Sequence, residues 1–202
     1  DCVIGVSGGV DSSYVAYILK KEFKLNPLAI HLDNGWNSEL AVRNIENLLS
    51  KLEIDLYTHV IDWEEFRDLQ MSFLKSSVAN SEIPTDHAIV ALLYKIAEKE
   101  NIKYILHGGN LATESIMPEA WMHDAKDLKF LNSIHKKFSS KSLKSYPKMS
   151  YLKLFWKIFI KRIKYIGILN YIAYDKDQAM EILEKNLGWK KYEEEHFESI
   201  RS

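Results

Sequence analysis

The sequence predicts an α/β fold: a parallel sheet flanked by helices, with a mostly helical C-terminal extension. Three observations carry that expectation. Apolar runs of strand length alternate with helix-period segments through the first half, the order that yields parallel strands covered on both faces. The first run, Cys2-Val3-Ile4-Gly5-Val6, feeds into Ser7-Gly8-Gly9-Val10-Asp11-Ser12-Ser13, which reads as a strand entering a phosphate-binding turn ahead of a helix. The 47% hydrophobic and 27% charged residues are those of a globular chain able to bury a core.

Taken in order, residues 2–6 are the first strand, and Val10 to Phe23 is a helix with Val10, Tyr14, Tyr17 and Ile18 on one side. Asn26-Pro27 breaks that pattern before a second strand, Leu28 to Leu32. Ser38 caps a helix carrying Ala41, Ile45, Leu48 and Leu49, and Ile54 to Val60 is a third strand. A helix over Trp63 to Leu74 follows, then one opened by Pro84-Thr85-Asp86 and running through Ala97. Lys103 to Leu106 is a fourth strand ending in His107-Gly108-Gly109-Asn110. Beyond residue 118 the pattern changes. Trp121 to Phe138 is partly helical, Ser139 to Ser145 is a Ser/Lys-rich loop, and Tyr151 to Lys164 reads as a basic amphipathic helix with Lys153, Lys157, Lys161 and Lys164 at helical spacing. That helix is open to three readings: a core face with a wet stripe, a surface for anionic lipid, or an RNA or protein contact. Asp175 to Leu187 is a last helix before the acidic Glu193-Glu194-Glu195.

A net charge of −1 argues against a protein that wraps nucleic acid, although it allows a local basic patch. The single cysteine, Cys2, excludes an internal disulfide and fits a reducing cytoplasm. No apolar run reaches membrane-spanning length and no signal peptide is visible. The opening residues already belong to a strand, so the chain reads as clipped at its N-terminus.

The turn at Ser7 to Ser13 has a physical rationale of its own. Gly8 and Gly9 permit positive φ and close approach of a ligand, and successive N–H groups in such a turn form a concave anion site. A helix starting near Asp11 adds its unpaired first-turn N–H groups and the positive end of its dipole. Ser12 and Ser13 supply hydroxyls, and Asp11 suits either a cap or a Mg²⁺ that accompanies phosphates. A valine at Gly8 or Gly9 is expected to fill the phosphate space and leave the fold largely intact. No Gly-Lys-Ser/Thr loop and no Gly-x-Gly-x-x-Gly is present, which disfavours kinase-type transfer and dinucleotide redox chemistry. Ligands of open α/β sheets gather beyond the carboxyl ends of the strands. This directs attention to Asp33-Asn34-Gly35-Trp36, which is also a plausible plain turn, to Asp86 and His87, and to Gly108 through Glu114. The second glycine pair permits another close backbone approach, and Glu114 offers an oxygen to Mg²⁺. A lysine of the C-terminal half, Lys144, is a candidate for balancing charge on a departing group.

The Ser7 to Ser13 run resembles the PP-loop of the N-type ATP pyrophosphatase superfamily. The resemblance implies an adenine-nucleotide α-hydrolase-like, Rossmann-like fold that uses ATP and Mg²⁺. It also implies chemistry in which a carbonyl oxygen is adenylated, pyrophosphate leaves, and a nucleophile displaces AMP. Carried onto this sequence, it assigns Val6, Ser7, Gly8, Gly9, Val10, Asp11, Ser12 and Ser13 to the phosphates. Leu32, Asp33 and Asn34 fall to adenine and ribose, Gly108, Gly109, Asn110 and Thr113 to a second nucleotide contact, and Asp11 and Glu114 to the metal; Asp11 is a catalytic candidate beside Lys144, which is chosen for its charge and not by the resemblance. The implied division is an ATP-binding domain over residues 1–118 and a substrate or partner region over 119–202.

Across its length the chain is most similar to the bacterial N-acetyl sugar amidotransferases of surface-polysaccharide biosynthesis, of the lipopolysaccharide O-antigen and pseudaminic type. The phrases that carry this are His31 to Trp36, Ile83 to Asp86, Gly108 to Glu114, Tyr171 to Lys176, Leu187-Gly188-Trp189 and His196 to Ser199. It implies a cytoplasmic ligase that turns the acetamido group of a sugar nucleotide into an acetamidino group, with ammonia supplied by a separate glutaminase. Two alternatives stand beside it: a PP-loop enzyme that thiolates tRNA, and an ATP-binding module without turnover. One cysteine offers neither a glutaminase nucleophile near the turn nor a sulfur relay, which weighs against the first alternative.

Overall fold

A computed structural model describes residues 1–109 and 123–192. The first five elements are β1 (Cys2–Gly5), α1 (Val10–Lys21), β2 (Pro27–Asp33), α2 (Glu39–Leu52) and β3 (Asp55–Val60). They are followed by α3 (Trp63–Ser76), α4 (Ile83–Lys99), β4 (Tyr104–His107) and α5 (Leu128–Phe138). The rest comprises α6 (Tyr151–Phe155), which continues into a π turn over Trp156–Ile160, then β5 (Lys164–Gly167), a 3₁₀ turn at Ile168–Tyr171 and α7 (Lys176–Leu187).

The five strands form one parallel sheet in the order β3-β2-β1-β4-β5. Alternate residues of each strand serve opposite faces. Val3, Ile30 and Ile105 face a core completed by Phe66, Leu69 and Phe73 of α3, the apolar side of α4, and Leu131 of α5. Cys2, Ile4, Ala29 and Leu106 face the other, completed by α1, α2 and Leu183 and Leu187 of α7. Burial on both faces is what a parallel sheet with helical crossovers requires. Pro27 opens β2 at the one strand position where its missing N–H costs no ladder bond.

Helix starts follow the capping chemistry of the sequence. Ser38 accepts from the Ala41 N–H, Asp62 from Glu65, Asp127 from Lys129 and Phe130, and Asp175 from Gln178.

The largest departure from expectation lies in the basic segment. Helix persists only from Tyr151 to Ile160, the last five residues as a π turn, and the chain reverses at Arg162, whose φ is 57°. Lys164, expected on the helix, opens β5: its N–H donates to the Lys103 carbonyl at 2.8 Å, and residues 164–167 pair with 104–107. Ladder bonds to β4 outweigh one more helical turn. The C-terminal region therefore supplies a strand to the same sheet that carries the turn.

The Ser/Lys-rich loop is held by carboxylates of α3. Glu65 accepts from the N–H groups of Lys144 (2.9 Å), Ser145 (2.9 Å) and Tyr146 (3.2 Å), and Asp68 from the hydroxyls of Ser139 and Ser140 and the Lys141 N–H. Partial burial pushes both carboxyls up, but these donors outweigh it and hold both below the usual carboxylate range. Carboxyls with a lowered folded-state pKa give stability that is present above their unfolded values and lost as pH falls through the folded ones. The melting temperature is therefore expected to fall on acidification below about pH 4. Glu65→Gln combined with Asp68→Asn lowers it at neutral pH and makes the acid-side decline shallower, as melts across a pH series would read.

Candidate active site

At the carboxyl end of β1 the chain turns through Ser7 to Gly9 into α1. Gly8 sits at φ +83°, and a Cβ there would lie 2.6 Å from the Ala41 carbonyl oxygen of α2, so no other residue fits. Gly9 departs from expectation: at φ −70° and ψ 164° it is an extended N-cap, a conformation open to any residue. No side chain caps α1, so the first-turn N–H groups of Val10, Asp11 and Ser12 have no intrahelical acceptor. Ser7 and Ser12 knit the turn together, because the Ser12 hydroxyl donates to the Gly9 carbonyl at 3.2 Å and accepts the Ser7 N–H at 3.3 Å. Ser13, expected on the same rim, is fully buried instead, and its hydroxyl has no partner among the described residues.

Beside the turn, a cavity of about 310 Å³ opens over the carboxyl ends of β1, β2, β4 and β5. Of the residues expected at the nucleotide, Val6, Ser7, Leu32 and Asn34 line it. The apolar walls come from Ile30, Ile89, Leu92 and Leu93, and the polar points from His31, Asn37, Thr85 and His107. The Thr85 hydroxyl is buried without a partner among the described residues. His31 is fixed by its neighbours: the Val6 carbonyl accepts from Nδ1 at 2.9 Å, so Nε2 is left to accept from the Asn37 amide at 3.2 Å. Burial pushes the His107 pKa down, and the Gly109 N–H donates to its Nδ1 at 3.1 Å. Its ring is therefore neutral with the proton on Nε2, and it stacks on Tyr165 with centroids 4.2 Å apart.

Gly108 packs on the first turn of α1, where a Cβ would come within 2.9 Å of the Asp11 backbone. Gly108 thus sets β4 against α1, and neither it nor Gly109 lines the cavity. Asp33 does not face the cavity. It lines a separate depression, and its Oδ1 holds the Gly35 N–H (3.0 Å) and the Asn37 amide (3.2 Å), the turn reading of Asp-Asn-Gly. His87 is structural, since its Nδ1 donates to the Ala125 carbonyl at 2.7 Å and its Nε2 accepts the Met149 N–H at 3.2 Å. Lys144 lies exposed in a second groove beside α4 and α6, and the structure does not bring it to the turn. Asn110, Thr113 and Glu114 lie outside the described residues.

Three contacts at the turn went unread in the sequence, and all come from the C-terminal region. The Gly8 carbonyl accepts the Trp189 indole N–H at 2.8 Å and the Tyr192 hydroxyl at 3.0 Å. Asp11 accepts from the Tyr174 hydroxyl, whose pKa is pushed well up by burial first and by that carboxylate second. The strap carrying Trp189 is itself clamped by the buried Asn44, which bonds both the N–H and the carbonyl of Lys190 at 2.9 Å. Leu187-Gly188-Trp189 was the legible trace, since a glycine ending a helix before a tryptophan marks a chain turning back into the core.

The residues present fit a nucleotide polyphosphate: uncapped amides at a left-handed glycine, next to an apolar cavity with one unpartnered hydroxyl. For Mg²⁺ the described residues offer one carboxylate at the turn, Asp11, and contain no cluster of three metal-ligating side chains. That suits a cation completed by phosphate oxygens rather than caged by protein.

Gly8→Ala is expected to destabilise the fold by roughly 1–2 kcal/mol for its left-handed φ, with the overlap on Ala41 added, whereas Gly9→Ala shifts stability by less than about 1 kcal/mol. Trp189→Phe, which keeps one aromatic ring but deletes the indole donor and the fused pyrrole at a buried position, costs about 1–3 kcal/mol. Urea unfolding of the three variants checks the ranking.

Comparison with known proteins bears on this geometry. The family model of NAD synthase matches residues 1–120. An uncharacterized protein of Methanocaldococcus jannaschii is 28% identical over 113 residues, covering 54% of this chain and 38% of its own length. A glutamine-hydrolyzing GMP synthase of Thermosipho africanus is 33% identical over 117 residues, covering 52% of this chain and 21% of its own. A tRNA-specific 2-thiouridylase of Chlamydia trachomatis is 30% identical over 122 residues, covering 55% and 33%. The chain thus matches well under half the length of each of these relatives. A solved structure of a predicted subunit of tRNA methyltransferase from Methanocaldococcus jannaschii superposes with a TM-score of 0.52 at 20% identity, covering 90% of this chain and 74% of its own. That likeness shows the fold. With the family match over the segment that builds the turn and β1 to β4, the chain belongs to the NAD synthase family and so to the ATP-using N-type ATP pyrophosphatases of the PP-loop type.

Proposed function

We propose that the protein is an ATP-dependent amidotransferase that adenylates the acetamido carbonyl of a sugar nucleotide and replaces AMP with ammonia. One observation carries this reading: a turn with uncapped amides adjoins a nucleotide-sized cavity through Val6 and Ser7, in a chain whose one thiol is shut away. Cys2 is 1% exposed at the opposite end of β1, and burial pushes its pKa up to about 11. Residues 1–202 therefore offer no thiolate to hydrolyse glutamine or to relay sulfur, and the nitrogen comes as ammonia from a separate glutaminase.

The chemistry needs an activated carbonyl, because an amide is a poor electrophile. Its oxygen attacks the α-phosphorus of ATP, the α–β linkage breaks and pyrophosphate leaves. Ammonia then adds to the imidate carbon, AMP departs with the C–O electron pair, and loss of a proton leaves the acetamidino group. In this reading the N–H groups of Gly9 to Ser12 and the α1 dipole hold the polyphosphate. Leu32 and Asn34 border the adenosine, and the Thr85 hydroxyl gains its missing partner from the ligand. Asp11 would hold Mg²⁺, which supplies charge neutralisation to the leaving pyrophosphate. Tyr174 orients Asp11 for that task.

Incubation with Mg-ATP, ammonium and a UDP-linked acetamido sugar is expected to release AMP and pyrophosphate in equal amounts, only when the sugar is present. Release that depends on tRNA and a sulfur donor instead would install the thiolation reading, and binding of ATP without release the module reading. In the same assay Gly9→Val loses nucleotide binding while its melting temperature stays near wild type. Asp11→Asn loses turnover by more than it loses ATP affinity, and equal loss of both would make that carboxylate merely structural.

A further inference from the structure

α6 and the π turn after it present a face that the sheet and its two cores leave uncovered. Leu152 is 84% exposed, Phe159 62%, Phe155 57%, Ile160 55% and Trp156 52%. Scattered exposed apolar residues are ordinary, but five large ones within nine positions make a patch. The π turn is how the backbone arranges this. The Lys161 N–H bonds the Trp156 carbonyl at 3.0 Å, five residues back, which widens the turn. Leu154 and Lys157 turn inward, Leu154 packing on the core and Lys157 bonding the Tyr94 carbonyl and Glu98, while Phe155 and Phe159 stay outside, ring to ring at 4.3 Å.

The rim of the patch is cationic. Lys153, Arg162 and Lys164 are exposed on the segment itself. The adjoining groove of about 680 Å³, which shares Leu152, Lys153 and Trp156, adds Lys95, Lys144 and Lys148. Its one acid, Glu98, is already paired with Lys157 and Lys161. Positive charge is thus gathered here in a chain whose net charge is −1. Among the described residues no helix is long and apolar enough to cross a membrane, and α6 with its π turn is far too short to do so.

From the apolar face and the excess of cations around it among the described residues, we propose that residues 151–164 form a peripheral docking surface for a bilayer bearing anionic headgroups. Phe155, Trp156 and Phe159 enter the interface, and the lysine stems lie along it with their ammonium groups at the phosphates. Charge complementarity chooses the lipid. Aliphatic Leu152 and Ile160 offer nothing to stacked bases, and a neutral partner surface would leave the cations unanswered. The proposal is independent of the reaction assigned above.

The test is co-sedimentation of the whole chain with vesicles of phosphatidylcholine alone or mixed with phosphatidylglycerol. Binding is expected only to the mixed vesicles, weakening as salt rises. Lys153→Gln with Arg162→Gln weakens it about fivefold per charge removed, and Leu152→Ser with Phe159→Ser abolishes it, all at unchanged melting temperature because these side chains are exposed. Should the double serine variant melt early, Phe159→Ser alone is read, with at least a fivefold loss expected. Failure to sediment with mixed vesicles overturns the proposal, as does binding indifferent to either pair of substitutions. Self-association in sedimentation velocity that Phe159→Ser abolishes, without lipid binding, also overturns it and makes a second copy of the chain the occupant.

Discussion

The carbonyl of Gly8 is the group on which the site depends. A turn that aims its N–H groups at an anion must send carbonyls the other way, and a buried carbonyl without a donor would cost as much as the turn gains. Here two donors arrive from the far end of the chain, the indole of Trp189 and the phenol of Tyr192. The left-handed φ of Gly8 makes that orientation possible, and the Ala41 backbone of α2 closes the space behind it. Asn44 of the same helix fixes the strap that brings Trp189 in. One helix therefore supports the turn directly and through its clamp.

What the sequence made legible follows from the range of each interaction. The strands and helices from β1 to β4 are set by local alternation, helical period and caps such as Ser38 and Asp62, all contained in a few neighbouring residues. The turn was readable for the same reason, since glycines, a helix start and the preceding strand are contiguous. β5 was not, because its four residues follow a lysine-rich helical pattern and the ladder that recruits them belongs to β4, sixty residues earlier. Gly9 was misread because a glycine pair does not say which member takes the positive φ. His87 was drawn toward the site by the expected nearness of the next strand end, and only the structure supplies its two partners, Ala125 and Met149. Trp189 and Tyr192 were invisible as turn residues because more than 180 positions separate them from Gly8.

The C-terminal region is tied to the sheet by polar contacts as well as by β5. Glu65 and Asp68 each gather several donors from residues 139–146, and Tyr146 is in turn inserted so that its hydroxyl donates to the Pro84 carbonyl at 2.6 Å. The Ser/Lys-rich loop is therefore tied down along its length, because α3 presents carboxylates where the loop presents unpaired N–H groups.

The charges around the cavity complete the physical picture. Among the described residues, no lysine or arginine lines it; His107 is neutral, and His31 is committed to a donor at one nitrogen and an acceptor at the other. The lysines collect instead along α6 and in the groove beside α4. Among the described residues, what a polyphosphate at the turn would meet is backbone dipoles: the open amides of α1 and the nest at Gly8. Dipoles fixed by a folded backbone do not titrate and cannot swing away, whereas a lysine in the same place would be free to pair with Asp11 when no ligand is bound. A turn built this way draws its anion attraction from groups that carry no titrating charge, and it leaves the Asp11 carboxylate, which among the described residues accepts from the Tyr174 hydroxyl, beside the phosphates for a cation that arrives with them.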